Sequence, residues 1–507
     1  MALGAAQRDV MPLPATAAPS QSRPSTLEFT AVVLASVSDG DGLYPLTENI
    51  PPALLPVANR PLLSFQLEML ERAMSFSQVL VLTTERWLPL LSTWVSEQYK
   101  GPLEVELLVV PDDAGSADAL RHIRAKLTTD FVLLAGDVIT DVPFQRMADL
   151  HRLQGASATA LFREVPPRAA GVAKKEKDLA GIDFVGVDET GQRILSLEAA
   201  ADCDGVVSIS QSLLRAYPHV QLRTDLVDAH VYIFAPWVLD VLEQKPHFSS
   251  AKFELLPYLV RKQFLSKANL PPSSHAYAQG GSASGSAKGS GPHASGERAS
   301  ERGEAVEGVG PAVGGLGGGS SGSVSGLSLS AGGEARRRLT AASDFRCCCY
   351  VLPHASGLYT LRASSVKEYL QANLDVSRES RVTQYARAEP NDLGQPVKEG
   401  NYVHKSCDKD STIGEAVEVG GRSFIKKACI GPHCRLGSAV KITNCILMDH
   451  VVIADKVTMQ NVIICGNAEV REGASLKNTQ VAAGVTVEAG ANHKDEVLTK
   501  EDDMEED

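Results

Sequence analysis

The chain has 507 residues, 44% of them hydrophobic and 22% charged, with a formal net charge of −12 at pH 7. This composition is ordinary for a globular protein of two or three domains, and the negative charge argues against general affinity for nucleic acid. No segment approaches the roughly 18 apolar residues that span a bilayer. The nine cysteines lack disulfide or zinc-ligand spacing and fit reduced thiols in the cytosol.

Residues 1–28 lack the continuous apolar segment of a secretory signal, and we interpret them as a disordered leader. An organelle-transit peptide stays open as an alternative, because this stretch contains two arginines and several serines.

From Phe29 the chain alternates short apolar segments with amphipathic ones. Strands are predicted at 31–35, 78–83, 105–110 and 131–134, and helices at 64–73 and 120–127. This alternation predicts an α/β domain with a mainly parallel sheet. Ligands of such sheets bind at the carboxyl ends of the strands, where the loops 36–42 and Gly136-Asp137 lie.

The segments Leu54-Leu55-Pro56-Val57 and Arg60-Pro61-Leu62 follow the first glycine-containing loop. They resemble the opening signature of the sugar nucleotidyltransferases, in which an arginine of this loop wraps the nucleotide phosphates and a lysine follows a proline. Here Gly42-Leu43 stand near the place of the arginine, and Pro52 or Ala53 near that of the lysine. Because developing phosphate charge needs fixed cations, the resemblance implies the Rossmann-like nucleotidyltransferase fold without its catalysis.

The same resemblance implies a remnant nucleotide pocket. Its candidate residues are Gly40, Gly42, Gly115, Ser116, Asp137 and Asp228. In the family, the glycines let the backbone approach the nucleotide, and the two carboxylates hold magnesium. From the residues alone, 115–116 also fit an ordinary helix start, and the carboxylates also fit loop capping. We expect no catalytic residue, metal or cofactor here.

The segment 253–264, FELLPYLVRKQF, resembles a segment of the gamma-subunit family of eukaryotic translation initiation factor 2B. Ile139-Thr140-Asp141 after Asp137 supports the same family. By its pattern alone, 253–264 is a helix that ends in basic residues. We therefore assign 29–268 to the nucleotidyltransferase-like domain.

Residues 269–340 are rich in glycine and serine and cannot bury enough apolar surface to offset their ordering entropy. We predict a disordered insertion here. The sheet domain and a connector resume over 341–400, with a strand at 349–352 and a helix at 364–373.

Aliphatic residues recur with a hexad pattern in the region 401–490. They stand at 413, 419, 425, 430, 436, 442, 447, 453, 459, 464, 470, 476, 481 and 487. A small or β-branched residue precedes each by two positions. Coils that start 17 residues apart predict a left-handed parallel β-helix of triangular section. Acyltransferases use a histidine in this fold, but we expect His433 and His450 to lie on the coil surface. Residues 491–507 are predicted to be an acidic disordered tail.

This domain pair is shared by active pyrophosphorylases and by the gamma and epsilon subunits of initiation factor 2B. Epsilon carries a further helical domain, so the chain fits the gamma family. The resemblance implies a cytosolic, non-catalytic subunit that pairs with epsilon and supports GDP/GTP exchange on initiation factor 2, without binding nucleic acid or membrane. Two alternatives stay open. One is an active sugar nucleotidyltransferase in which Arg60 or Lys174 replaces the missing cations. The other is a regulatory sugar-nucleotide binder that senses through Gly115 and Asp137.

Overall fold

A computed structural model of the protein describes residues 29–36, 42–165, 183–199, 207–209, 211–264, 346–377, 407–408 and 410–500. The predicted leader, the glycine/serine-rich insertion, part of the connector and the last seven residues lie outside the described residues.

The first domain contains fourteen of the described strands and eight α-helices. The strands are β1 (Phe29–Leu34), β2 (Pro56–Val57), β3 (Arg60–Pro61), β4 (Gln78–Thr83), β5 (Glu104–Val109), β6 (Asp130–Ala135), β7 (Val138–Thr140), β8 (Ala158–Glu164), β9 (Asp183–Val187), β10 (Ile194–Ala199), β11 (Gln221–Arg223), β12 (Leu226–Phe234), β13 (Cys347–Leu352) and β14 (Thr360–Arg362). The helices are α1 (Leu62–Ala73), α2 (Leu88–Glu97), α3 (Ser116–His122), α4 (Phe144–Gln154), α5 (Gln211–Ala216), α6 (Val238–Gln244), α7 (Leu256–Lys262) and α8 (Val366–Ser377).

Seven strands form the central sheet in the order β13-β8-β12-β6-β1-β4-β5. Strands β1, β4, β5 and β6 pair in parallel, whereas β12 runs antiparallel to β6 and β8. The apolar segments of β1, β4 and β6 are buried because helices cover both faces, whereas the edge strand β5 is only partly buried. The predicted mixed, mainly parallel sheet is therefore confirmed.

Two predicted helical segments are divided in the structure. Helix α3 begins at Ser116 and is followed by a 3₁₀ turn at Arg124–Lys126, where the sequence predicted one helix over 120–127. The Asp118 carboxylate accepts a hydrogen bond from the Gly115 N–H at 3.3 Å, which starts the helix earlier. The segment 253–264 divides into a π-helical turn, Ala251–Leu255, and α7.

The second domain is a triangular prism of stacked coils. Its strands are β15 (Thr412–Ile413), β16 (Glu418–Val419), β17 (Phe424–Lys426), β18 (Cys429–Ile430), β19 (Arg435–Leu436), β20 (Lys441–Thr443), β21 (Ile446–Leu447), β22 (Val452–Ile453), β23 (Thr458–Gln460), β24 (Ile463–Ile464), β25 (Glu469–Val470), β26 (Ser475–Lys477), β27 (Gln480–Val481), β28 (Thr486–Val487), β29 (Asn492–Lys494) and β30 (Val497–Leu498). Each strand from β15 to β27 pairs in parallel with the strand 17 residues later, as in Thr412 with Cys429. The prism therefore consists of three parallel sheets.

The aliphatic positions of the hexad point into the prism. Thirteen of them, from Val419 to Val487, are buried, and Ile413 at the open first coil is partly buried. Glycine follows some inward positions because the next coil passes close by. A Cβ atom on Gly431 would lie 2.6 Å from the Met448 carbonyl carbon. The predicted β-helix is confirmed.

The prism extends further than the sequence predicted. Strands β29 and β30 add another turn up to Leu498, so the placement of 491–498 in a disordered tail is wrong. The backbone of this turn still pairs with the coil before it, as in Ser475 with Asn492. One of its inward positions is the polar His493 and the other is Leu498, so the turn carries only part of the aliphatic pattern.

One outward face of the prism is apolar and packs on the first domain. Ile446, Met448 and Ile463 contribute to one buried cluster with Leu55 and Tyr369. At the tip of the β2–β3 hairpin, the Asn59 side-chain amide donates to the Ile430 carbonyl at 2.9 Å. The two domains thus share a core.

The cysteines of the prism divide between this interface and the interior. Cys434 and Cys445 lie inside the prism, whereas Cys429 and Cys465 face the first domain. All four are buried, and burial raises the pKa of each thiol. They behave as small apolar residues, as the sequence suggested.

Candidate functional site

A cavity of about 430 Å³ lies at the carboxyl ends of the central parallel strands. This is where ligands bind in open α/β sheets. Its walls come from β1, the loops after β4 and β6, and β14. The lining residues are Leu34, Ser36, Leu43, Thr47, Pro52, Thr84, Arg86, Trp87, Asp112, Gly136, Asp137, Arg362 and Ser364.

Asp137 reaches the cavity directly after β6, as predicted, but its carboxylate is already bound. The Nε of Arg362 donates to both of its oxygens at 2.9 Å. Both side chains are largely buried, with 8% and 20% of their surfaces exposed. A guanidinium therefore occupies the position beside this carboxylate where a cation would bind.

Arg362 also donates from Nη1 to Nε2 of His230 at 2.9 Å. Because a guanidinium only donates, Nε2 must accept, so the imidazole is neutral and carries its proton on Nδ1. Burial, followed by the charges of Arg362 and Lys252, lowers the pKa of His230 well below 6.5. His230 has a φ of 53° at an irregular step of β12, a backbone conformation that is strained for residues other than glycine.

Asp228 lies on β12 and does not join Asp137 in a metal site. Its oxygens accept hydrogen bonds from the His230 N–H at 2.7 Å and the Tyr232 hydroxyl at 2.6 Å. Burial raises the pKa of this carboxyl group. Asp137 is therefore bound by Arg362, whereas Asp228 accepts its hydrogen bonds from β12 itself. Within the described ranges, no three His, Cys, Asp or Glu side chains are placed to hold a metal ion.

The segment 115–117 approaches its own chain instead of the cavity. Ala117 N–H donates to the Ser249 carbonyl at 2.8 Å, and the Ser116 hydroxyl accepts from the Ala251 N–H at 2.8 Å. A Cβ atom on Gly115 would lie 2.4 Å from the Ser249 carbonyl oxygen. The glycine is thus required by the packing of this loop. Neither Gly115 nor Ser116 lines the main cavity.

The first glycine-containing loop is only partly described. Gly40 lies outside the described residues. Gly42 passes close to Ser364, whose carbonyl oxygen would lie 2.3 Å from a Cβ atom on the glycine. Of the predicted pocket, the structure brings only Asp137 to the cavity wall, with Gly42 beside it.

Of the two cations suggested as replacements, Arg60 pairs with Glu68 at 2.8 Å and does not line the cavity. Lys174 lies outside the described residues. The arginines that do line it, Arg86 and Arg362, were not predicted. Arg86 donates to the Glu48 carbonyl and stacks 4.3 Å from the centre of the Trp87 ring. Its place three residues after Thr83, the last residue of β4, could have identified it. Arg362 follows the long insertion, and no pattern marks it.

None of the described helices is long and apolar enough to cross a membrane.

Comparison with known protein families assigns a domain to each half of the structure. Residues 30–197 match the family described as "Nucleotidyl transferase", and residues 398–493 match the "EIF2B subunit epsilon LbH domain". The chain therefore contains a nucleotidyl transferase domain followed by a left-handed β-helix domain, which confirms the predicted fold class.

Comparison with individual proteins finds translation initiation factor eIF2B subunits gamma among the relatives. The chain is 35% identical to that of Dictyostelium discoideum over 254 residues, which are 46% of this chain and 58% of the relative. It is 33% identical to that of Schizosaccharomyces pombe over 243 residues, 47% of this chain and 52% of the relative. A mannose-1-phosphate guanyltransferase of Debaryomyces hansenii is 26% identical over 230 residues, 45% of this chain and 55% of the relative. The chain spans about half the length of the relatives it matches.

Proposed function

We propose that the chain is a non-catalytic subunit of a cytosolic initiation factor 2B assembly. In this assembly it pairs with an epsilon-type subunit and supports GDP/GTP exchange on initiation factor 2. The observation that carries the proposal is the Arg362 guanidinium bound to both oxygens of Asp137. The similarity to relatives named eIF2B subunit gamma supports membership of this assembly.

The Arg362–Asp137 pair bears on catalysis in two ways. A nucleotidyl transfer requires cations that face the phosphates and a carboxylate that is free to hold a metal ion. Here the strand-end carboxylate and a cavity-lining cation neutralise each other. The second cavity arginine, Arg86, is held by the Glu48 carbonyl and the Trp87 ring. Both arginines that line the described cavity are therefore already bound to other groups of the chain, and neither is positioned by these contacts to bind a substrate phosphate.

The two-domain architecture supports the assembly role. One face of the β-helix is covered by the first domain, and the other two expose flat parallel sheets to solvent. Such faces offer extended surfaces for other chains. The β-helix matches the LbH domain of eIF2B epsilon, and the relatives of the chain include gamma and epsilon subunits. These similarities support the pairing of this chain with an epsilon-type subunit.

An active sugar nucleotidyltransferase is the alternative function, and the similarity to mannose-1-phosphate guanyltransferases favours testing it. It would require Arg362 to leave Asp137 when substrate binds. The regulatory sugar-nucleotide binder would use the same cavity without turnover.

Affinity purification of the tagged full chain from native cytosol separates these possibilities. We expect a larger epsilon-like chain to copurify, GDP to be released from added initiation factor 2, and no sugar nucleotide to form from sugar phosphate and nucleoside triphosphate. A chain that purifies alone and forms a sugar nucleotide would contradict the proposal. A chain that purifies alone with a bound sugar nucleotide would favour the regulatory binder.

A further inference from the structure

The sheet formed by β17, β20, β23, β26 and β29 is one of the two prism faces that remain outside the interface between the domains. Its five strands read FIK, KIT, TMQ, SLK and NHK, with four lysines and no aspartate or glutamate. All four lysines are exposed. We call this surface, defined by Lys426, Lys441, Lys477 and Lys494, the lysine face. It is a local concentration of positive charge on a chain of net charge −12.

The parallel register arranges these charges in order. Lys426, Thr443, Gln460, Lys477 and Lys494 form one column across the five coils. At a strand spacing of about 4.8 Å, this column extends over about 19 Å. Lys441 lies in the neighbouring column, next to Phe424. The polar side chains between the lysines add hydrogen-bonding groups to the same flat surface.

Few described acidic groups neutralise the lysine face. Within the described part of the chain, Lys426, Lys441 and Lys477 form no ion pair, and Lys494 contacts only Asp495, at 3.7 Å. On one flank, Asn444, Asn461 and Asn478 form an uncharged ladder with amide-to-amide distances of 2.7 and 2.9 Å.

The acidic side chains on the other flank are already engaged. Asp455 accepts from the Ser438 N–H, and Glu472 pairs with Lys456 at 2.7 Å. The positive field of the lysine face is therefore directed at solvent.

The other exposed face of the prism has a different charge pattern. There Arg435 pairs with Glu418 at 3.6 Å, and Arg471 pairs with Glu488 at 2.8 Å, so cations and anions alternate. The two faces share backbone geometry and solvent exposure, and differ in charge compensation. This contrast provides a matched control within one domain.

We propose that the lysine face is a docking surface for an acidic segment of a partner protein. An extended segment of about six residues covers the 19 Å column, and carboxylates on one of its sides can meet the lysines. Nucleic acid fits the face less well. The sheet contains no arginine, and its outward strand positions offer one aromatic ring, Phe424, for base stacking.

The proposal is tested with the purified full chain, fluorescein-labelled decaglutamate and a labelled oligouridylate of matched charge. The lysine variant is Lys426→Glu with Lys477→Glu. The control is Arg435→Glu with Arg471→Glu, which changes the net charge by the same amount on the other face. We expect the decaglutamate dissociation constant to rise about tenfold in the lysine variant and less than about twofold in the control.

Equal losses in both variants would overturn the proposal, since the effect would then follow net charge alone. Tighter binding of the oligouridylate than of decaglutamate, with the same dependence on the lysines, would overturn it in favour of a nucleic-acid surface. All four substituted positions are exposed, and circular dichroism checks that both variants keep the β-helix.

A zero-length carbodiimide cross-linker applied to the natively purified protein tests the partner directly, because it joins amines to carboxylates in contact. We expect links from Lys426, Lys441 or Lys477 to aspartate or glutamate of another chain, and their loss in the lysine variant. Acetylation of these lysines at the same rate in the native material as in the isolated chain would contradict the proposal.

Discussion

The Asp137 carboxylate and the Arg362 guanidinium meet although they are 225 positions apart in the sequence. The strand pattern placed the loop Gly136-Asp137 at the ligand-binding edge, and the resemblance to the nucleotidyltransferases singled out the carboxylate. Its partner comes from β14, which lies after the insertion and pairs with β7. The sequence therefore predicted the carboxylate but not the group that neutralises it.

Arg362→Ala tests this pair at the residue scale. The substitution leaves Asp137 buried without its cation and His230 without its donor, so we expect a loss of about 3 kcal/mol in the free energy of unfolding. Arg60→Ala is the control, because its pair with Glu68 is more exposed, at 39% and 29%. We expect the control to cost less than about 1 kcal/mol. Urea unfolding measures both, and equal losses would contradict the role of the buried pair.

His230 predicts a pH dependence of stability. Its pKa is lowered in the folded protein, so below about pH 6.5 the unfolded chain takes up a proton that the folded protein does not. The stabilising contribution is thus complete above pH 6.5 and is lost as the pH falls. At pH 5.5 the loss is about 1.4 kcal/mol.

The comparison is between the natural chain and His230→Asn, since asparagine tolerates the positive φ at this position. Unfolding free energies are measured at pH 7.5 and 5.5. We expect the natural chain to lose about 1.4 kcal/mol more than the variant. The buried carboxyl groups are present in both proteins, so their contributions cancel. An identical change in both proteins would show that His230 does not titrate in this range.

At the scale of elements, the β-helix was the most predictable part of the chain. Its inward positions repeat every 17 residues, so an aliphatic residue in the repeat can be assigned to the interior of the prism from the sequence. The pattern weakened in the last turn, where His493 takes one inward position and Leu498 takes another. Glu496 accepts a hydrogen bond from His493 at 2.7 Å. In the first domain, β1, β4 and β6 were predicted well because their apolar segments are buried on both faces. The sequence left the start of α3 open, because 115–116 fitted both a helix start and a nucleotide-binding turn. In the structure the helix begins at Ser116.

The close stacking of the coils predicts different effects on stability for substitutions at two glycines of the prism. In Gly431→Ala the new methyl group would collide with the backbone at Met448, whereas Gly421→Ala has no atom within 4 Å. We expect the first substitution to destabilise the β-helix by about 2 kcal/mol and the second by less than about 0.5 kcal/mol. Thermal unfolding followed by circular dichroism measures both. Equal melting temperatures in the two variants would contradict this packing.

At the scale of the whole molecule, the two domains are held together by an apolar face of the prism and by the β2–β3 hairpin. Within the first domain, the Ala58 N–H donates to the Asn373 side chain at 3.0 Å and fixes the hairpin on α8. Asn59 then reaches across to the Ile430 carbonyl of the prism. The sequence carried a signal for this face, since Ile446 and Ile463 add an apolar residue directly before the inward position. The sequence could not predict which surface of the first domain packs against this face. That surface is formed by α8 and the hairpin, which lie more than 300 positions apart.

The proposed role, support of nucleotide exchange within an assembly without transfer chemistry by this chain, is open to a direct measurement. GDP release from initiation factor 2 is measured with an epsilon-type subunit alone, with this chain alone, and with both. We expect that the chain alone releases no GDP and that its addition to the epsilon-type subunit raises the rate. An unchanged rate together with no binding between the two chains would contradict the proposal.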